Sequence, residues 1–286
     1  MRKILLRTDN HARDATGMRY VYPVLSRRAA GISIGINLNP NNACNWHCIY
    51  CQVPNLTRGG PPPIDLALLE QELKTLLNSI AQGSLVIAHD SPSHAPHGLN
   101  SLRDIAFSGN GEPTSAAEFP LAVSLVHNVL HAHGLDQRVM LRLITNGSLL
   151  DHRSVQAGIE HIGSISGEVW FKVDSASATG LALINGTRVK PETVSRRLAR
   201  CAALAPTWVQ TCLFKLDNTL PAEDAITCYL ALLAPLAKQL KGVHLYSLAR
   251  PSLQKEAPRL MRLDAEYLEN IALRIRQLGL MAQVNA

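Results

Sequence analysis

Three of the six cysteines crowd into one run, Cys44-Asn45-Trp46-His47-Cys48-Ile49-Tyr50-Cys51. Thiolates at this Cys-x3-Cys-x2-Cys spacing can wrap one corner of a metal centre. In a reducing compartment such a cluster reads as metal binding and not as a disulfide framework. A structural zinc site prefers four ligands and usually recruits a second Cys or His pair at matching spacing. No second Cys-x-x-Cys exists here. Cys201, Cys212 and Cys228 are scattered through apolar patterns, where a free cysteine is expected to be a small buried hydrophobe. His47 lies between two of the clustered cysteines, an awkward place for a fourth zinc ligand. Three thiolates with no evident fourth also suit an iron–sulfur cube with one iron left open to a cofactor.

Further polar groups recur where apolar runs end. Phe107-Ser108-Gly109-Asn110-Gly111-Glu112-Pro113-Thr114 follows a short apolar run, and its glycines allow close backbone approach while Pro113 stiffens the exit. Leu143-Ile144-Thr145-Asn146-Gly147 and Phe171-Lys172-Val173-Asp174 end two more runs. His244, Tyr246 and Arg250 cluster around another, with Arg250 suited to a phosphate or carboxylate. Taken alone, each also reads as an ordinary turn or strand end.

The elements that must carry these groups alternate. Strands are expected over 31–38, 104–107, 139–145, 168–173, 208–214 and 243–248. Helices are expected over 65–80, 119–133, 191–205, 221–240 and 264–278, with Pro191 in a first turn and Gly279 at an end. Six strands, five of them followed by an expected helix, require a parallel sheet with right-handed crossovers. In such a sheet, loops at the C-terminal ends of the strands bind ligands. The choice is then between an open doubly wound sheet and a barrel. No composition shift divides the chain, so one domain is expected. The loop His89–Ser101 holds His89, His94 and His97, which could bind a metal, but its Pro and Ser content fits a solvated loop.

Composition sets the outer limits. Of 286 residues, 47% are hydrophobic and 17% charged, enough to bury a sizeable core and to exclude general disorder. No apolar run approaches the ~18 residues of a membrane span. The apolar stretch near the N-terminus, Ile4-Leu5-Leu6, is too short for a signal peptide. A soluble, cytoplasmic protein is the expectation. The net charge of +6, carried by 20 Arg and 8 Lys, permits an anionic substrate.

With Tyr50 directly before its last cysteine, the Cys run resembles the signature of the radical S-adenosylmethionine (radical SAM) superfamily. The match runs from about Tyr20 to the C-terminus through GINLNPNNACNWHCIYCQVPNL, IAFSGNGEPT, LITNGSLL and FKVDSAS. The pattern is most similar to the wybutosine-synthesis-like subgroup of Fe-S oxidoreductases, which modify tRNA. The resemblance implies a single-domain α/β fold, a partial (β/α)6 TIM-like barrel over residues 31–286. Residues 1–30 would be an N-terminal extension packing on it.

The resemblance further implies that Cys44, Cys48 and Cys51 hold a [4Fe-4S] cluster whose open iron binds S-adenosylmethionine. An electron from a flavodoxin or ferredoxin then cleaves the cofactor reductively. The resulting 5′-deoxyadenosyl radical takes a hydrogen atom from substrate. Gly109, Asn110, Gly111 and Glu112 form a variant of the Gly-Gly-Glu-type segment that contacts the methionine amino group. Tyr50 lines the adenine through its backbone, Lys172 pairs with the methionine carboxylate, and Asn146 or Asp174 meets the ribose hydroxyls. The leading substrate is a tRNA base, toward which Arg188, Lys190, Arg196, Arg197 and Arg200 offer a basic patch. The patch also reads as a solvated helix face. Alternatives are an activase, a peptide- or metabolite-modifying enzyme or, from another class, a non-catalytic zinc-binding module that grips RNA.

Overall fold

The computed structural model describes residues 4–6, 17–26, 31–87 and 101–285. His89, His94 and His97, and most of the stretch 1–30, lie outside them. Eight strands form the main sheet: β1 (Val21–Ser26), β2 (Gly31–Ile36), β3 (Leu102–Phe107), β4 (Met140–Thr145), β5 (Glu168–Lys172), β6 (Thr207–Cys212), β7 (Gly242–Tyr246) and β8 (Ala282–Asn285). From β2 to β8 neighbours pair in chain order and in parallel, while β1 pairs antiparallel with β2 at the edge. Each of β2 to β7 is followed by helix: α1 (Leu66–Ala81), α2 (Phe119–Ala132), α3 (Arg153–Ser164), the pair α4 (Ala178–Asn185) and α5 (Pro191–Leu204), α6 (Glu223–Leu233) and α7 (Ala265–Gln277). This is the parallel sheet expected from the alternation, in the partial (β/α)6 barrel form that the resemblance implies. Among the described residues, no helix is long and apolar enough to cross a membrane.

Local chemistry sets the helix starts. Asp65 caps α1 by accepting the Leu68 N–H at 3.0 Å, and Asp264 caps α7 by accepting that of Tyr267 at 2.7 Å. The strands alternate in character because their two faces meet different surroundings. On the outer face, Phe107 meets Phe119 of α2 edge-on and Thr211 shares a hydrogen bond with Tyr229 of α6. On the inner face, polar and aromatic side chains link across six strands. Ser33 donates to Asp104, and Arg142 bridges Asp104 and Glu168. The Arg142 guanidinium lies 4.4 Å from the Trp170 ring centre, and His244 is sandwiched between Trp170 and Trp208. This ladder lies below the C-terminal mouth.

Several boundaries differ from expectation for visible reasons. The helix expected over 221–240 ends at Leu233, and a 3-10 turn that includes Pro235 follows. The run expected as one strand over 208–214 breaks at Leu213. Phe214–Leu216 then turns away to pair antiparallel with Leu260–Arg262. Cys201 and Cys212 are buried as expected, but Cys228 on α6 is exposed, because it occupies the solvent side of that helix.

Candidate functional site

The clustered cysteines sit in the loop after β2, at the C-terminal mouth of the sheet. A short strand, Ala43–Cys44, pairs with Thr57–Arg58 and closes this loop. Its far end rests on α4: the His47 N–H donates to the Asn185 carbonyl at 3.0 Å, and the Ile49 N–H to the Ile184 carbonyl at 2.9 Å. Arg58 spans both parts, donating to the carbonyls of Asn45 and Gly186. From the other side, the Ser252 hydroxyl donates to the Ile49 and Cys51 carbonyls, and Gln254 donates to those of Cys51 and Val53. The loop is therefore tied to distant parts of the chain through its backbone.

Asparagines join this loop to the neighbouring strand ends. The Asn37 side-chain oxygen accepts the N–H groups of Asn39 and Asn110. The Asn110 amide donates to Asn42 at 2.6 Å, and Gly109 packs directly against Asn37. Gly111 passes so close to Ala43 and Asn39 that any Cβ there would collide with the Ala43 carbonyl. Glu112 is 2% exposed, and its carboxylate accepts from the Thr114 N–H and hydroxyl, the Thr145 hydroxyl and the Asn146 N–H. Burial pushes its pKa up against the pull of these donors. Asn146 in turn donates to Asn45, and Asn45 to Ser148.

A second knot forms where β5 ends. Asp174 accepts the Tyr50 hydroxyl at 2.5 Å, the Asn185 amide at 2.8 Å and the Cys212 N–H at 2.9 Å. Lys172 donates to the Tyr246 hydroxyl at 2.9 Å and stands 3.8 Å from Asp174, between the rings of Tyr50 and Tyr246. Burial is the largest single influence and works against its charge, but the Asp174 carboxylate, together with Tyr246, Cys48 and Cys212, outweighs it and holds Lys172 above the ordinary lysine range. Tyr246 thus joins the site from β7, whereas His244 lies deeper, in the inner ladder. Arg250 contributes its carbonyl, which accepts from Gln52. Asn45, Asn185, Ser252 and Gln254 are the parts sequence reasoning missed. Asn185 is 137 residues from Cys48, and no local pattern marks such a partner.

None of the three cysteines is in a disulfide, and all are of intermediate exposure. Burial pushes Cys44 up to about 11 and Cys48 up to about 12, and in both the charge of Cys51 adds to the rise. Bound metal reverses that logic, since a coordinating thiol is deprotonated outright. Among the described residues, no group of three His, Cys, Asp or Glu side chains stands gathered as a metal-binding set. The chemistry of the donor set nonetheless fits a three-thiolate iron–sulfur centre: three sulfurs on one backbone-anchored loop, with Cys51 acting on both Cys44 and Cys48. The buried Asn39 side-chain oxygen, with no donor, adds an acceptor beside Gly111.

No family model matches the chain. A curated relative, "GTPase Obg" of Brachyspira hyodysenteriae, is 25% identical over 156 residues, which cover 54% of this chain and 19% of that protein. The chain therefore spans about a fifth of that relative's length. A radical SAM methyltransferase from Sphaerobacter thermophilus aligns over 93% of this chain and 68% of its own, with TM-score 0.62 and 14% identity. SuiB of Streptococcus suis aligns over 91% and 51%, with TM-score 0.59 and 9% identity. The structure of anSMEcpe with bound AdoMet and Cp18Cys peptide aligns over 88% and 62%, with TM-score 0.56 and 16% identity. The fold is thus one shared with radical SAM enzymes.

Proposed function

We propose that the chain is a radical SAM enzyme of the wybutosine-synthesis-like kind, with a tRNA base as its substrate. The observation that carries this reading is the placement of Cys44, Cys48 and Cys51, none of them in a disulfide, at the mouth of that fold. These cysteines would hold a [4Fe-4S] cluster. Together with S-adenosylmethionine, the cluster supplies a one-electron cleavage whose carbon radical takes a hydrogen atom from substrate. A flavodoxin or ferredoxin is the electron donor in this reading.

The chain's own residues bind and orient. Gly109, Asn110 and Gly111 bring backbone and side-chain acceptors to the methionine ammonium, with Asn39 beside them. Glu112 fixes the shape of that segment through its four accepted hydrogen bonds. Lys172 would pair with the methionine carboxylate, Asn146 or Asp174 would meet the ribose hydroxyls, and Tyr50 would line the adenine through its backbone. Exposed Arg188 and Lys190 follow α4, which holds the Cys loop, and Arg196 and Arg200 continue the basic surface along α5. Asp151 offsets part of this charge by pairing with Arg197 and Arg196. The relative named as a GTPase does not extend its activity to this chain, which lacks the Gly-Lys-Ser/Thr of a phosphate-binding loop.

Anaerobic reconstitution tests the reading. About four irons per chain are expected, and dithionite with S-adenosylmethionine should release 5′-deoxyadenosine. Substituting all three cysteines by Ala should abolish both signals. Stoichiometric zinc without cluster absorbance would overturn the reading in favour of the zinc-binding alternative. Binding of tRNA should weaken steeply between low and moderate salt if several phosphates are contacted, and a flat response would reject the tRNA substrate.

A further inference from the structure

Asn185 is the last residue of α4 and is fully buried. Its side-chain amide has two hydrogens and two acceptors in reach: Asp174 Oδ2 at 2.8 Å and Cys48 Sγ at 3.3 Å. The orientation follows from charge. Turned over, the amide would press its carbonyl oxygen against the Asp174 carboxylate, which already holds the Tyr50 hydroxyl and the Cys212 N–H. In the orientation present, the Asn185 Oδ1 is buried with no donor. Leaving an acceptor unsatisfied is unfavourable, so the fold gives up one hydrogen bond to keep the donor side toward carboxylate and sulfur.

The backbone fixes the sulfur relative to that donor. His47 and Ile49, on either side of Cys48, donate their N–H groups to the carbonyls of Asn185 and Ile184. Helix end and cysteine are therefore joined by three hydrogen bonds over a sequence gap of 137 residues.

We propose that Asn185 is a positioning residue that sets the reduction potential of the metal centre through its N–H···S bond to Cys48, with Asp174 orienting the amide. The inference rests on the cluster reading above. A donor to a ligating sulfur stabilises the more negative, reduced state, because the bond strengthens as electron density on sulfur rises. Asn185 thus eases the electron's entry. Removing it makes the cluster harder to reduce and leaves its iron count intact.

Redox titration of anaerobically reconstituted protein, followed by the electron paramagnetic resonance of the reduced cluster, reads this directly. Asn185→Leu keeps the branching and the heavy-atom count and removes both N–H hydrogens. Its midpoint potential should move to a more negative value, with the reduced-to-oxidised ratio at fixed potential falling about tenfold, equivalent to about 59 mV for one electron. Iron per chain should equal that of the wild type. An unchanged midpoint with a full cluster overturns this inference alone. A wild type that binds no iron overturns it together with the cluster reading. Should Asn185→Leu fail to fold, pulsed resonance of the wild-type cluster in protein labelled with 15N in asparagine side chains takes its place. A 15N coupling that persists in the Asn45→Ser variant supports the bond, and its absence refutes it.

Discussion

The Glu112 carboxylate accepts the backbone N–H of Asn146 at 2.6 Å and so ties the segment after β3 to the end of β4. The two glycines before Glu112 give that segment freedom, and the carboxylate removes it again through Thr114, Thr145 and Asn146. Glu112→Gln exchanges one acceptor oxygen for an NH2 that faces donors. The expected loss is about 1–3 kcal/mol of stability, the range for a buried polar group left mispaired. Urea denaturation measures it, and a change below a few tenths would show that the carboxylate is not the tie.

Arg142 stands between two carboxylates on the inner face, with side-chain exposures of 13% for itself, 3% for Asp104 and 15% for Glu168. Removing a cation from such a site leaves buried negative charge uncompensated. Arg142→Met should cost about 3–5 kcal/mol. Adding Asp104→Asn removes one of the stranded charges, so the double variant should recover part of the loss. If the two losses simply add, the residues are not coupled.

Much of this architecture is legible in the sequence because each strand alternates between a helix-packed face and the inner face, and because the Cys run and its companion motifs all fall at strand ends. What escapes lacks a local signature. β1 contains Pro23, which reads against a strand, yet an edge strand tolerates a missing N–H. α3 carries Gly158 and Gly163, and α4 is eight residues with no clear polar face. Without α4, Asn185 and the support beneath Cys48 stay hidden as well. Cys228 departs from expectation because an apolar helix pattern does not say which residue faces solvent.

Ser124, His161 and His127 form a hydrogen-bonded row between α2 and α3, each link 3.1 Å long. Burial, and then the neighbouring His127, hold the His161 pKa below its ordinary 6.5. A depressed histidine pKa means that the unfolded chain binds the proton more readily than the folded one. The stability this represents is full above pH 6.5 and is lost as pH falls through the folded value. Melting temperature should therefore decline on acidification below 6.5. His161→Gln should flatten that decline, and an unaltered slope would assign it to other groups.

Gly186 ends α4 at φ +61, with the site of its missing Cβ 2.9 Å from the His47 carbonyl. Gly279, after α7, has φ +82 but nothing within 4 Å of the corresponding point. The two glycines thus share the backbone requirement and differ in the neighbour. Substituting either by Ala should cost about 1–2 kcal/mol, because a Cβ disfavours the left-handed conformation. Only Gly186→Ala also pushes on the loop that presents Cys48. After anaerobic reconstitution, that variant should lose iron to a chelator faster than Gly279→Ala, at matched loss of stability. Equal rates would mean that the end of α4 does not hold the cysteine loop in place.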